Sequence, residues 1–240
     1  MISKIDINST EYKKELEDTI KFTDEVNEKF GFVYNQNPEV NKSTQMGLAR
    51  NNILYGKRYC PCFMVVGEDE KQRQEADNRL CPCAPALEKE IPENGSCHCG
   101  IFCTKEFVSD EPKIEKAHSK GFTKDECAMI LEKSQIIGVE LEALLEAREL
   151  GFVDFALVDV REWMEWQDNR IVGTNALIPT TSFYKELSQL DEKKNIPIVL
   201  YCLTGSRSNH CMNAMRQMGY GKVINLTYGI VAYDGKRERG

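Results

Sequence analysis

Ten cysteines stand in this chain of 240 residues, and six of them form three C-x-C pairs: Cys60 with Cys62, Cys81 with Cys83, and Cys97 with Cys99. Pro61 and Pro82 occupy the middle of the first two pairs, and His98 that of the third. Four thiolates complete one tetrahedral zinc site or one [4Fe-4S] cluster, so six leave two over. A zinc site more usually takes C-x2-C pairs, because a proline-stiffened C-x-C strains shared ligation of one ion. Four cluster ligands plus one dithiol use all six.

A seventh cysteine has a different setting. "IPIVLYCLTGSRSNHCMNAM" puts Cys202 at the end of an apolar strand, before "LTGSR" and a helix. Backbone N–H groups and a helix N-terminus at such a turn stabilise a thiolate or a terminal persulfide. Gly205 lets the backbone curl, while Thr204, Ser206 and Arg207 offer donors to an anionic sulfur or a bound oxyanion. A phosphatase cradle has C-x5-R, one residue longer than the C-x4-R present, so a phosphate would fit poorly. Cys211 and His210, inside the following helix, read as packing and surface residues, and Cys103 and Cys127 as small buried hydrophobes.

These residues need elements to hold them. Tyr12, Leu16, Ile20, Thr23, Val26 and Phe30 recur at helical spacing and Gly31 follows, which predicts an amphipathic helix with its stop. Asn37 as N-cap, Pro38 as first residue and Gly56 beyond the end predict a second helix leading to Cys60. From Cys60 to Cys103 there is at most one polar helix, around "EDEKQRQEADNR", so something other than apolar burial must organise the region. "SDEPKIEKAHSKG" reads as a linker, and Thr123 with Glu126 has capping-box spacing. Beyond Ile136 helices alternate with the strands "FALVDV", "IPIVLYC" and "KVINL", with "NALIP" an apolar turn and "SFYKELSQL" a helix; this is the pattern of an α/β domain with a mainly parallel sheet.

"CPC", "CPC" and "CHC" in this order, after "GLAR" in a helix, resemble the catalytic subunit of ferredoxin:thioredoxin reductase over roughly residues 33–107. The resemblance implies that Cys60, Cys81, Cys83 and Cys97 hold a [4Fe-4S] cluster while Cys62 and Cys99 form the redox pair. It makes Cys62 the nucleophile toward a target disulfide, Cys99 the sulfur next to the cluster and His98 a tuning or proton-carrying group; an ordinary surface imidazole is the plain alternative. One-electron carriers must deliver twice to open a disulfide, and the resemblance implies that the cluster stores the half-reduced state. A donor near about −400 mV against a disulfide near about −270 mV supplies roughly 6 kcal/mol per two electrons. The segment "APALEKEIPENGS" between Cys83 and Cys97 departs from the family pattern by its length, and Cys103 has no counterpart in it.

"CLTGSRS", with "LVDVRE", "IVGTNALIP" and "GYGKVINLTYGIVAY", resembles a single-domain rhodanese from about Ile136 onward. This implies sulfur transfer through a persulfide on Cys202 in a pocket formed by the backbone of Leu203, Thr204, Gly205, Ser206 and Arg207. Asp159 and Arg161 would be structural.

The expectation is therefore two domains: a mainly α iron-sulfur reductase domain over 1–118, a linker and helix over 119–135, and an α/β rhodanese-like domain over 136–240. The predicted function is an iron-sulfur disulfide reductase with a sulfurtransferase domain, acting on a thioredoxin-like protein, a small disulfide or a persulfide. The alternatives are a thiosulfate or polysulfide sulfurtransferase with a structural metal domain, and a redox-sensing or docking protein. Ferredoxin or rubredoxin would donate electrons, and Lys42, Arg50, Lys57 and Arg58 would form a basic patch that steers it. The net charge of −7 argues against nucleic acid as a partner. "MISKIDINSTEYKKELED" has no apolar signal core and no run approaches the roughly 18 residues of a membrane span, giving the expectation of a soluble cytoplasmic protein.

Overall fold

The computed structural model describes residues 4–110 and 121–239, which fall into two compact units divided between these segments. Most of the expected linker, 109–121, lies outside the described residues. Among the described residues no helix is long and apolar enough to cross a membrane.

In the first unit, α1 spans Thr10–Phe30, capped by Ser9 and ended by Gly31 in the left-handed conformation. It buries Tyr12, Thr19, Thr23 and Val26, whereas Ile20 and Phe30 of the predicted stripe are exposed. The buried threonine hydroxyls have partners: Thr23 shares a hydrogen bond with the Tyr34 hydroxyl at 2.8 Å and accepts one from Gln45 at 3.0 Å. The helix α2, Pro38–Tyr55, starts at the Asn37 cap and stops at Gly56 as the sequence predicts. Strand β1 (Val33–Tyr34) pairs antiparallel with β2 (Phe102–Cys103). Between them lie α3 (Glu70–Glu75), a π-helical turn at Ala86–Glu90 and α4 (Ile91–Asn94); α5 (Lys105–Asp110) follows β2. The core under these short pieces is partly sulfur: Cys60, Cys83, Cys97 and Cys99 pack with Val26, Ala86, Ile91, Ile101 and Phe102.

In the second unit, α6 (Lys124–Ile130) carries the predicted capping box, with Thr123 N–H donating to Glu126 at 2.7 Å. There follow β3 (Gln135–Ile136), α7 (Gly138–Glu149), β4 (Ala156–Asp159), α8 (Trp163–Asp168), β5 (Arg170–Ile171), β6 (Ala176–Leu177), α9 (Phe183–Glu186), β7 (Ile198–Tyr201), α10 (Ser206–Gln217), β8 (Val223–Leu226) and β9 (Arg237–Glu238). The five-stranded sheet has order β3-β8-β7-β4-β6 and every pair is parallel. Strands β4, β7 and β8 are buried along their whole length, as a sheet covered on both faces requires.

Three expectations need correction here. The stretch from Cys60 to Cys103 holds more than the one polar helix, because the turns at Ala86–Glu90 and Ile91–Asn94 bury Ala86 and Ile91. "NALIP" is not a turn: Ala176 and Leu177 form the edge strand β6, paired with Val158 and Asp159. "SFYKELSQL" is not one helix but α9 followed by a 3-10 segment, Leu187–Lys193, the tighter turn keeping both Leu187 and Leu190 buried. Strand β3 is too short to show alternation and went unseen in the sequence.

Candidate functional sites

The three C-x-C pairs are drawn together by backbone pairing. Tyr59 bridges Leu80 antiparallel, Cys60 N–H donates to the Arg79 carbonyl at 2.7 Å, and Cys81 N–H donates to the Arg58 carbonyl at 3.0 Å. The third pair sits in a tight hairpin in which Ser96 bridges Cys103 and Cys97 N–H donates to the Phe102 carbonyl at 2.9 Å. Helix α2 closes the back of the site, with Thr44 hydroxyl 3.5 Å from the Cys99 carbonyl and Gly47 against Pro61.

The sulfurs of Cys60, Cys62 and Cys99 lie within 4.8 Å of one another, and Cys60 and Cys99 are 3.0 Å apart. A cleft with about 320 Å³ of atom-free space, part of it open to solvent, is lined by Cys60, Cys81, Cys83, Cys97 and Cys99 with His98 at its rim. The two groupings overlap but differ. The compact trio has one thiol fewer than a four-thiolate site, whereas the cleft wall contains all four expected ligands and Cys99. Cys62 is not among the described lining residues; it is half-buried, while His98 is exposed.

Burial pushes the Cys81 thiol well above its ordinary range and raises that of Cys97. Hydrogen bonding with Cys62 and burial push Cys60 up, and contacts with Cys60 and Cys62 together with burial do the same for Cys99. Thiols so placed become thiolates in company with a cationic centre, so the donor set suits an iron-sulfur cluster.

The second site is the turn after β7, at the carboxyl ends of the parallel strands. Cys202 is buried, and its Sγ receives the Gly205 N–H at 3.2 Å and stands 3.4 Å from the Ser208 hydroxyl. Gly205 has φ +90°, and a Cβ there would lie 2.9 Å from the Tyr228 nitrogen. Gly229 is more confined still: a Cβ would stand 2.2 Å from the Leu203 carbonyl oxygen. The Ile230 and Val231 N–H groups then tie down the Cys202 and Leu203 carbonyls at 2.9 and 3.2 Å.

A family model for the ferredoxin thioredoxin reductase catalytic beta chain matches residues 9–124, and one for the rhodanese-like domain matches residues 139–236. The chain is a fusion of these two families. Over 116 residues it is 34% identical to the probable adenylyltransferase/sulfurtransferase MoeZ of Mycobacterium tuberculosis, an alignment covering 47% of this chain and 28% of that protein. It is 32% identical over 80 residues to a sulfurtransferase of Allochromatium vinosum, covering 33% of this chain and 72% of that one. A rhodanese-like domain protein from Staphylococcus aureus has a solved structure that is 25% identical, with a TM-score of 0.39 over 45% of this chain and 99% of that chain. The chain thus spans little more than a quarter of the length of MoeZ.

The rhodanese unit corrects one expectation about donors. The Arg207 guanidinium is not directed at an anionic sulfur: it makes a bidentate pair with Glu165 at 2.7 and 2.8 Å, both side chains buried. Burial would raise the Glu165 pKa, but Arg207 outweighs it and holds the carboxyl down at about 2. Arg207 thus ties α10 to α8, while the Gly205 N–H and the Ser208 hydroxyl stand as donors at Cys202. Ser208 and Gly229 went unassigned in the sequence, although Ser208 closes "CLTGSRS" and Gly229 lies within "LTYG". Asp159 and Arg161 form a buried ion pair at 2.7 Å, in keeping with a structural part. Cys211 is buried with its thiol pushed up to about 12 by desolvation, and His210 is exposed.

In the first unit three of the four residues of the expected basic patch are buried or paired with acids. Arg50 is buried and donates to Asn51 at 2.8 Å; Arg58 pairs with Glu15 at 2.7 Å and Lys57 with Glu70 at 2.5 Å. Helices α1 and α3 supply the acids, so charges that look unopposed along the sequence are opposed in space. Cys103 and Cys127 are fully buried.

Proposed function

We propose that the chain is a disulfide reductase in which a [4Fe-4S] cluster held by Cys60, Cys81, Cys83 and Cys97 serves a dithiol of Cys62 and Cys99, joined to a rhodanese unit that carries a persulfide on Cys202. The observation that supports it best is the sharing of cysteines: Cys60 and Cys99 line the cleft and also belong to the trio with Cys62. Once bound, the cluster would supply electrons singly from a ferredoxin or rubredoxin.

The chemistry on the substrate belongs to the chain's own sulfurs. The Cys62 thiolate attacks one sulfur of a disulfide, a new S–S bond forms, and the departing thiolate takes a proton. Cys99 then attacks the Cys62 sulfur and expels the second thiolate, leaving a Cys62–Cys99 disulfide; two electrons and two protons have passed to the substrate. His98, exposed beside Cys99, is the proton carrier in this reading. Thioredoxin-like proteins and small disulfides are substrates of this kind. So is a persulfide on Cys202: attack on its outer sulfur returns the Cys202 thiol, and Cys99 then releases the transferred sulfur as sulfide.

Iron and acid-labile sulfide at about four each per chain, with broad absorption in the near-visible region, is the expected composition. Colourless protein with one zinc would overturn the cluster and leave the sulfurtransferase with a structural metal. Sulfide release from a persulfide with a reduced carrier should fall in both Cys62→Ser and Cys202→Ser; an unchanged rate in both would separate the two activities.

A further inference from the structure

The segment 84–96, between the second and third cysteine pairs, places one carboxylate in contact with parts of the other motifs. Glu90 ends the π-helical turn at Ala86–Glu90. Its Oε2 accepts the His98 backbone N–H at 2.9 Å, and its Oε1 accepts from Arg79 Nη1 at 2.7 Å. The Arg79 guanidinium lies 3.7 Å from the centre of the Phe63 ring, and Phe63 packs on the His98 imidazole with ring centres 4.7 Å apart. The contacts close on themselves: Glu90 to Arg79, Arg79 to Phe63, Phe63 to His98, His98 back to Glu90.

Three members of this ring are each tied to a different cysteine pair, and Glu90 joins two of them. Phe63 follows Cys62, Arg79 precedes Cys81 by two residues and its carbonyl holds the Cys60 N–H, and His98 precedes Cys99. Glu90 and Arg79 are partly shielded, with side-chain exposures of 19% and 28%, which favours a persistent pair over a solvated one. A guanidinium that is both bonded to a carboxylate and seated over an aromatic ring has little freedom left.

We propose that Glu90, Arg79 and Phe63 are positioning residues that hold the Cys62 segment against the Cys99 hairpin, so that Cys99 closes rapidly on a Cys62 mixed disulfide. The inference rests on the dithiol reading above. None of the three touches a reacting sulfur in this account; they act through His98 and through the backbone beside Cys62. Without them the first attack by Cys62 proceeds, but the second sulfur is no longer held in reach.

The test is a stoichiometric thiol reaction on the full chain with its cluster in place, in a Cys202→Ser background. The reduced protein is mixed with one equivalent of 4,4′-dithiodipyridine. Attack by Cys62 releases one thiopyridone and closure by Cys99 releases a second, giving two phases. Glu90→Ala and Phe63→Leu should slow the second phase about tenfold or more while leaving the first within about twofold, with Glu90→Gln between them and the parent. A change in stability alone would lower cluster content or shift both phases together. The Cys99→Ser control must lose the second phase; if it does not, the dithiol reading fails independently of the positioning residues. Should Glu90→Ala lose its cluster, Phe63→Leu, which leaves the ion pair intact, decides. Closure at the parent rate in a cluster-retaining Phe63→Leu or Glu90→Ala protein would overturn the proposal.

Discussion

Gly47 of helix α2 and Pro61 of the first C-x-C pair are packed so tightly that a Cβ on Gly47 would stand 2.5 Å from the Pro61 Cβ. The helix therefore sets the position of the proline, and the proline sets the directions of Cys60 and Cys62. Because Gly47 lies mid-helix in ordinary α conformation, space rather than backbone strain selects glycine there.

Gly47→Ala should accordingly displace Pro61. We expect a loss of about 1–3 kcal/mol in stability of the first unit from overpacking. Iron content per chain should fall with it, and denaturant titration alongside iron analysis checks both. An alanine protein with unchanged iron content and stability would show that helix and proline can separate at no cost.

In the rhodanese unit, Gly229→Ala should abolish most sulfur transfer, because its Cβ would collide with the Leu203 carbonyl and push the Cys202 turn out of shape. Gly221→Ala is the control: a Cβ there meets nothing within 4 Å and φ is not in the left-handed range. Thiosulfate-to-cyanide transfer, measured for both, should separate them clearly.

Ser208→Ala removes the hydroxyl 3.4 Å from the Cys202 sulfur. A hydrogen bond of about 1 kcal/mol predicts a roughly fivefold slower transfer rate, with the fold intact. A rate equal to the parent would mean that the hydroxyl spends its proton on the Gly205 carbonyl, which it also reaches at 3.1 Å.

The Glu165–Arg207 pair predicts how the rhodanese unit responds to acid. The Glu165 pKa is lowered from 4.5 to about 2 in the folded state, so its contribution to stability is complete above the unfolded value and drains away as pH falls toward the folded one. Stability should decline between about pH 4.5 and 2, and Glu165→Gln should be less stable near neutrality yet flatter across that window. Breaking the buried pair should cost about 3–5 kcal/mol, visible in urea titrations at pH 7.

Charge reversal of Lys57 tests the electron-carrier surface. With Glu70 already opposite Lys57, Lys57→Glu should change the electron-transfer rate at low salt by less than about twofold, as expected of an exposed pair of small net effect. A steep, salt-dependent loss would restore the steering patch.

Much of this protein is readable along the chain because the signals are local. Asn37, Pro38 and Gly56 bound α2 by capping chemistry, Thr123 and Glu126 start α6, and the buried runs of β4, β7 and β8 announce a parallel sheet. Three C-x-C pairs and "CLTGSR" declare sulfur chemistry because thiol spacing is a property of the sequence itself. What folding decided is which groups meet. Arg50, Lys57 and Arg58 lose their apparent field because burial, Glu70 and Glu15 reach them from elsewhere. Arg207 turns from the Cys202 sulfur to Glu165, a partner 42 residues away. Gly47 is fixed by Pro61 and Gly229 by Leu203, contacts that no local pattern encodes, since close approach and charge pairing depend on distances only the folded chain creates.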